Sequence, residues 1–133
     1  MAEKARYSML FLFWMIMLTV LCLLPSDNLS VKTPPIPYLD KWVHFTFYAV
    51  AMTLGALFMR ERMQFRLRRG KALLFMGAGL IIYGMIIEVL QGISEQGRSA
   101  EWWDIGANIL GIAFGAGLSL LLFRNVSVFY WED

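Results

Sequence analysis

The sequence predicts an all-α membrane protein, a four-transmembrane-helix bundle in a single domain over residues 1–133, with N- and C-termini cytoplasmic. Three observations carry this. Hydrophobic residues make up 59% of the chain and charged residues 17%, against roughly 45–50% and ~25% in an ordinary soluble domain. The apolar excess is gathered into four runs, each close to the ~20 residues that cross a ~30 Å hydrocarbon layer as a helix. Basic residues collect beside alternate ends of those runs, which sets an orientation. Strands are excluded because a lone apolar segment in lipid must satisfy its own backbone groups.

The first run covers about residues 7–24, "YSMLFLFWMIMLTVLCLL", and stops at Pro25. Lys4 and Arg6 before it give it the look of a secretory leader. Its body exceeds the ~7–15 residues of a leader core, and no A-x-A-like site follows, so an uncleaved span is expected. The second run, about 42–59, is entered through "KTPPIPYLD", whose three prolines favour an extended path. The third, about 72–93, follows "RERMQFRLRRGK". The fourth, about 105–123, follows "SEQGRSAEWWD", where Gly97 suits a turn. Trp102 and Trp103 there suit an interfacial aromatic belt.

Orientation comes from the positive charges. Arg60, Arg62, Arg66, Arg68, Arg69 and Lys71 stand against Glu61 alone. With Lys4, Arg6 and Arg124 they mark the cytoplasmic side. The other two connections carry only Lys32, Lys41 and Arg98 and are expected outside. A net charge of +2 is too small to argue for nucleic acid. The basic segment instead suits anionic lipid headgroups. Cys22 is the sole cysteine, so an internal disulfide and a cysteine-based zinc site are excluded.

The polar residues within the runs are not scattered. Lys41, His44, Tyr48, Ala51 and Gly55 fall on one helical face, as do Gly77, Gly84, Glu88 and Gln91, and again Asp104, Asn108, Gly111 and Gly115. On each helix the polar members lie at the expected outer end, and small residues continue the stripe inward. Gly111-x-x-x-Gly115 is a spacing that lets transmembrane backbones approach closely. The three stripes are therefore expected to face one another and form an outward-facing polar pocket. The first span has only Ser8 and Thr19 to offer and is expected at the periphery.

Each residue also has a plainer reading. Asp40 and Asp104 suit helix N-caps. Asn108 and Gln91 suit interhelical hydrogen bonding, and Arg98 a headgroup anchor. Glu88 resists such a reading most, since an ionisable group about five residues inside a span needs a partner or water. One histidine with carboxylates could hold a hard cation, but no H-E-x-x-H spacing is present. Neither a metal nor a cofactor is expected on these grounds. No glycine-rich phosphate loop and no G-x-S-x-G elbow appears.

"DKWVHFTFY", then "EVLQ", then "GRSAEWWDIGANILGIAFG" resembles the VanZ-like family of small bacterial integral membrane proteins. The matching positions are Asp40, Lys41, His44, Phe45, Tyr48, Glu88, Gln91, Arg98, Ser99, Asp104, Asn108, Gly111 and Gly115, and the likeness covers about residues 38–120. The resemblance implies a multi-pass protein of the bacterial cytoplasmic (inner) membrane, linked to the cell envelope. The family takes its name from a protein of low-level glycopeptide resistance, toward teicoplanin. It carries no settled activity.

The leading expectation is a protein that binds a membrane lipid or lipid-linked cell-wall precursor. Lys41 and Arg98 would hold an anionic group. His44, Tyr48, Glu88, Gln91, Asp104 and Asn108 would line or rim the pocket. Phe45, Trp102 and Trp103 would flank the acyl or prenyl part. The rival expectation is an intramembrane hydrolase or transferase on a lipid-linked substrate. There His44 would be the general base, oriented by Asp40, with Glu88 the general acid. A third reading makes the polar residues helix-to-helix bonds alone. A proton-coupled transporter is a further reading; with four spans it would require a homodimer, and no discontinuous helix is evident in the sequence.

Overall fold

The structure, a computed structural model, describes residues 5–24, 36–63, 66–94 and 101–131. These form four helices: α1 (Arg6–Leu23), α2 (Leu39–Met63), α3 (Arg69–Ile93) and α4 (Trp102–Asn125), followed by a short 3-10 turn at Ser127–Phe129. There is no strand among the described residues. All four helices are long and apolar enough to cross a membrane.

The helices outrun the predicted spans, mostly by two to four residues at their polar ends. Hydropathy marks where lipid stops, whereas a helix continues while its backbone hydrogen bonds are worth keeping. Thus α2 carries Arg60 and Arg62 in its last turn, and α4 carries Arg124. Cations there also suit the negative end of the helix dipole. At α1 the end is sharp. Leu24 is extended at φ −66°, ψ 135°, as a residue ahead of proline must be. "KTPPIPYLD" lies mostly outside the described residues; its described end turns at Pro37 and Tyr38, where Tyr38 adopts φ 59°.

Many of the chain's large apolar side chains point away from the bundle. Leu74, Phe75, Ile82, Val89 and Ile93 of α3 are all more than half exposed. So much uncovered apolar surface would be a liability in water; in lipid it is the solvated face. Apolar burial then gives no drive for helices to associate, and close packing must do so. The buried interior is accordingly rich in small residues, among them Ala49, Ala51, Ala56, Gly55, Gly77, Gly84, Gly111 and Gly115.

The pairing of α2 with α4 is the closest in the bundle. A Cβ on Gly115 would stand 2.5 Å from the Ala49 carbonyl oxygen and 2.8 Å from Met52 Cβ, and one on Gly111 would overlap the Phe45 carbonyl oxygen. The expected Gly-x-x-x-Gly contact is therefore present, and its partner is the backbone of α2. Gly117, by contrast, has nothing within 4 Å of its Cβ position. Gly117→Ala is expected to leave the thermal midpoint in detergent unchanged or slightly raised, because alanine favours helix over glycine by up to ~1 kcal/mol. A drop of several degrees would mean that this face of α4 is covered.

Helix α1 buries only Leu18 and Cys22, in keeping with its expected peripheral place. It is nonetheless tied down by polar contacts that its sequence does not advertise. Trp14 Nε1 donates to the Phe47 carbonyl at 3.1 Å, and the Tyr83 hydroxyl meets Thr19 Oγ1 at 2.6 Å. At its start, Glu61 of α2 accepts from the Ser8 N–H at 2.8 Å and the Ser8 hydroxyl at 2.6 Å, and Arg62 Nε donates to Ser8 Oγ at 2.9 Å. A carboxylate there satisfies free N–H groups and faces the positive end of α1. At the same end Arg60 Nε donates to the Tyr130 carbonyl at 3.0 Å, and Trp131 is buried edge-on to Phe123 at 5.3 Å.

Candidate functional site

The start of α2, the end of α3 and the start of α4 share one end of the bundle, and most of the stripe's polar residues meet there. His44 on α2 is the centre. Its Nδ1–H donates to Oδ1 of Asn108 on α4 at 3.0 Å. Glu88 Oε1 of α3 lies 3.8 Å from His44 Nδ1, and Asp104 Oδ2 of α4 lies 3.8 Å from His44 Nε2. Those two separations are too long for hydrogen bonds. His44 thus stands between two carboxylates with its ring orientation set by a third group, a neutral amide.

The helix geometry explains the convergence. Asn108 and Gly111 lie three residues apart on one face of α4. The contact of Gly111 with the Phe45 backbone therefore brings Asn108 level with His44. Gly84 performs a similar service on α3. A Cβ there would fall 3.0 Å from the Tyr48 hydroxyl and 3.2 Å from Asn108 Nδ2. Tyr48 and Asn108 consequently pack directly against the α3 backbone, one turn before Glu88.

Burial is nearly complete. Glu88 is 3% exposed, Asn108 3% and Tyr48 1%. Neither carboxylate oxygen of Glu88 nor the Tyr48 hydroxyl has a hydrogen-bond partner among the described residues. An unpartnered carboxylate at this depth is costly in a membrane.

Lys41 behaves differently from the expectation that it holds a ligand's anionic group. Its Nζ sits 2.5 Å from Asp104 Oδ1, 2.5 Å from Glu101 Oε2 and 2.6 Å from Asp40 Oδ2. The ammonium is taken up by three carboxylates of the chain itself. Asp40 is likewise engaged with its neighbour, with its side chain 58% exposed. The carboxylate facing His44 Nε2 is Asp104, not the Asp40 expected to orient it. One turn of helix carries Asp40 outward to the rim, whereas α4 delivers Asp104 from across the bundle.

Gln91 also departs from the pocket. It is 5% exposed, and its Nε2 donates to the Cys22 carbonyl of α1 at 2.7 Å. Its place is a bond between α3 and α1. Gln91→Leu is expected to cost about 0.6–1.7 kcal/mol of unfolding free energy, the range for interhelical hydrogen bonds in membranes. It should leave ligand retention as in the wild type; loss of ligand from a folded Gln91→Leu protein would return Gln91 to the pocket.

Arg98 and Ser99 lie outside the described residues. Glu101 is the member that sequence reading missed. Its signal was its position three residues ahead of Asp104, which places both on one face opposite Lys41. Around the site the aromatics expected to flank an acyl chain are accessible. Trp102 is 85% and Trp103 79% exposed, and Phe45 packs between Trp42 and Phe114 at 6.1 and 5.6 Å.

Chemically, the arrangement offers a fixed imidazole, two carboxylates and an amide carbonyl converging from three helices. Such groups can accept hydrogen bonds from a ligand, move a proton or ligate a cation. No family model, curated protein or solved structure matches this chain.

Proposed function

We propose that this chain is a VanZ-like protein of the bacterial cytoplasmic membrane, with its polar end facing outward and binding a lipid or lipid-linked cell-wall precursor. The observation that carries the reading is Glu88: buried, aimed at His44 and without a hydrogen-bond partner among the described residues. If the polar residues served only as bonds between helices, Glu88 would be expected to have a partner, as Gln91 and Thr19 do. An unmet acceptor in a cluster drawn from three helices suits a ligand that supplies the missing group. The exposed tryptophans at the same end are suited to the headgroup region, where such a ligand enters.

The residue pattern resembling the VanZ-like family extends the proposal to a part in tolerance of teicoplanin. Deleting the gene in its host should then lower the teicoplanin concentration that stops growth. The outward orientation is read by single cysteines in a Cys22→Ser background. A cysteine at Arg66 should react with a membrane-impermeant maleimide only after cells are opened, and one at Trp103 in intact cells.

Native mass spectrometry of the purified protein tests the binding itself. A lipid-phosphate species should stay with the wild type and be lost from His44→Ala and Arg98→Ala. A wild type free of lipid, or variants that retain it equally, would overturn the reading. Catalysis is the second reading, favoured by the imidazole held between two carboxylates. It is told apart by turnover of a detergent-solubilised lipid precursor, with Glu88→Gln keeping binding and losing rate.

A further inference from the structure

We propose that His44, Glu88 and Asp104 bind a divalent first-row metal cation, of the Mn2+ or Zn2+ class. This departs from the expectation of no metal, which rested on local spacing in the sequence. The three residues come from three helices, and one ligand atom from each lies within 4.8 Å of the other two. Ligand atoms around an ion at bonds of ~2.1 Å stand roughly 3.0 Å apart when adjacent and ~4.2 Å when opposite. The observed spacing therefore needs only small side-chain adjustments to close on a cation.

The second observation is independent of spacing. Glu88 is more than nine-tenths buried, and its Oε1 lies 3.8 Å from His44 Nδ1 without a hydrogen bond. A carboxylate so placed calls for a positive charge. Lys41 does not supply it, being held by Asp40, Glu101 and Asp104.

The details favour ligation too. In the neutral tautomer that gives Nδ1–H to Asn108 Oδ1, the imidazole keeps a lone pair on Nε2, which faces Asp104 Oδ2. A metal-bound histidine characteristically donates its other N–H to such an acceptor, which fixes the ring. Asp104 is divided in the same way, with Oδ1 on Lys41 and Oδ2 toward His44. One nitrogen and two carboxylate oxygens suit Mn2+ or Zn2+ better than the all-oxygen preference of Ca2+ or the thiolate preference of Cu+.

The cation also eases a difficulty of charge. Among the described residues at this end, Asp40, Glu88, Glu101 and Asp104 stand against the single ammonium of Lys41. Among these described groups the balance disfavours a phosphate, which leaves Arg98, outside the described residues, to attract it. A bound dication removes most of that excess negative charge and leaves coordination positions for a phosphate oxygen. This last step rests on the lipid reading above, whereas the cation site rests on the three helices alone.

The test uses the full-length protein in detergent, freed of metal with EDTA and titrated with Mn2+ in the absence of lipid. Loss of the free Mn2+ signal in electron paramagnetic resonance should show saturable binding of one ion per chain. Glu88→Gln and Asp104→Asn should each weaken it at least roughly tenfold, while Glu61→Gln, at the opposite end, should not change it. Pulsed measurements on the wild type should show coupling to one histidine nitrogen, a readout that needs no variant to fold. No saturable binding of Mn2+ or Zn2+ by the helical wild type, or a bound ion without that nitrogen coupling, would overturn the proposal. So would a folded Glu88→Gln that binds as the wild type does. Because no lipid is present, failure here leaves the lipid reading standing, and failure to retain lipid leaves the cation site standing.

Discussion

Gly111→Ala is expected to be among the most damaging single-methyl changes in this chain. Its Cβ would overlap the Phe45 carbonyl oxygen and stand 3.1 Å from the Ala49 nitrogen. Both obstacles are backbone of a neighbouring helix, so no side chain can rotate aside, and α2 and α4 must part. Overpacking of this kind costs ~1–3 kcal/mol or more. Alanine's advantage in helix formation returns at most ~1 kcal/mol. A net loss of roughly 2 kcal/mol in unfolding by detergent titration is expected. The polar end should suffer with it, because Phe45 adjoins His44 and Gly111 lies one turn from Asn108. Gly106→Ala is the control, since nothing lies within 4 Å of its Cβ position. Equal effects at the two glycines would show that α2 and α4 do not meet as described.

Lys41→Met is expected to have the second large effect, through charge. The ammonium is shared by Asp40, Glu101 and Asp104 at 2.5–2.6 Å, and the side chains of Lys41 and Asp104 are 20% and 12% exposed. Exposed pairs are worth about 0–1 kcal/mol, while breaking a fully buried pair costs about 3–5 kcal/mol. These burials lie between, so a loss of roughly 2 kcal/mol is expected. Much of it comes from leaving Asp104 without its counter-charge. Asp104→Asn in the Lys41→Met background should therefore recover part of the loss. A double variant no more stable than Lys41→Met would mean that Lys41 contributes through packing alone.

Much of the bundle could be read in the chain because lipid imposes a strict rule. A span must be helical and apolar, so four runs announced four helices. Small residues on one stripe announced close approach, and the Gly111 and Gly115 contacts with α2 follow that signal. Helical spacing placed His44, Glu88 and Asn108 on facing stripes at one depth, and these three do converge.

What escaped the sequence concerns which groups satisfy one another. Residues 41 and 101 are distant in the chain, and only the fold brings the Lys41 ammonium to Glu101 and Asp104. Asp40 seemed the natural partner of His44 from spacing along a single helix, yet Asp104 occupies that position from a different one. Gln91 sat on the right face and nearly the right depth, but its amide donates to the Cys22 carbonyl of α1. A ligand set drawn from three helices has no local motif, so a cation site of this kind is invisible to spacing rules.

Pairwise disulfide cross-linking tests the shared polar cluster most directly. With Cys22 replaced by serine, which keeps the backbone carbonyl that Gln91 uses, a cysteine at position 44 is combined in turn with one at 88, 104 or 108. Mild oxidation in native membranes should link 44 to each of the three, within one chain. A cysteine at 44 that links to none of them, in protein that remains folded and inserted, would contradict the account.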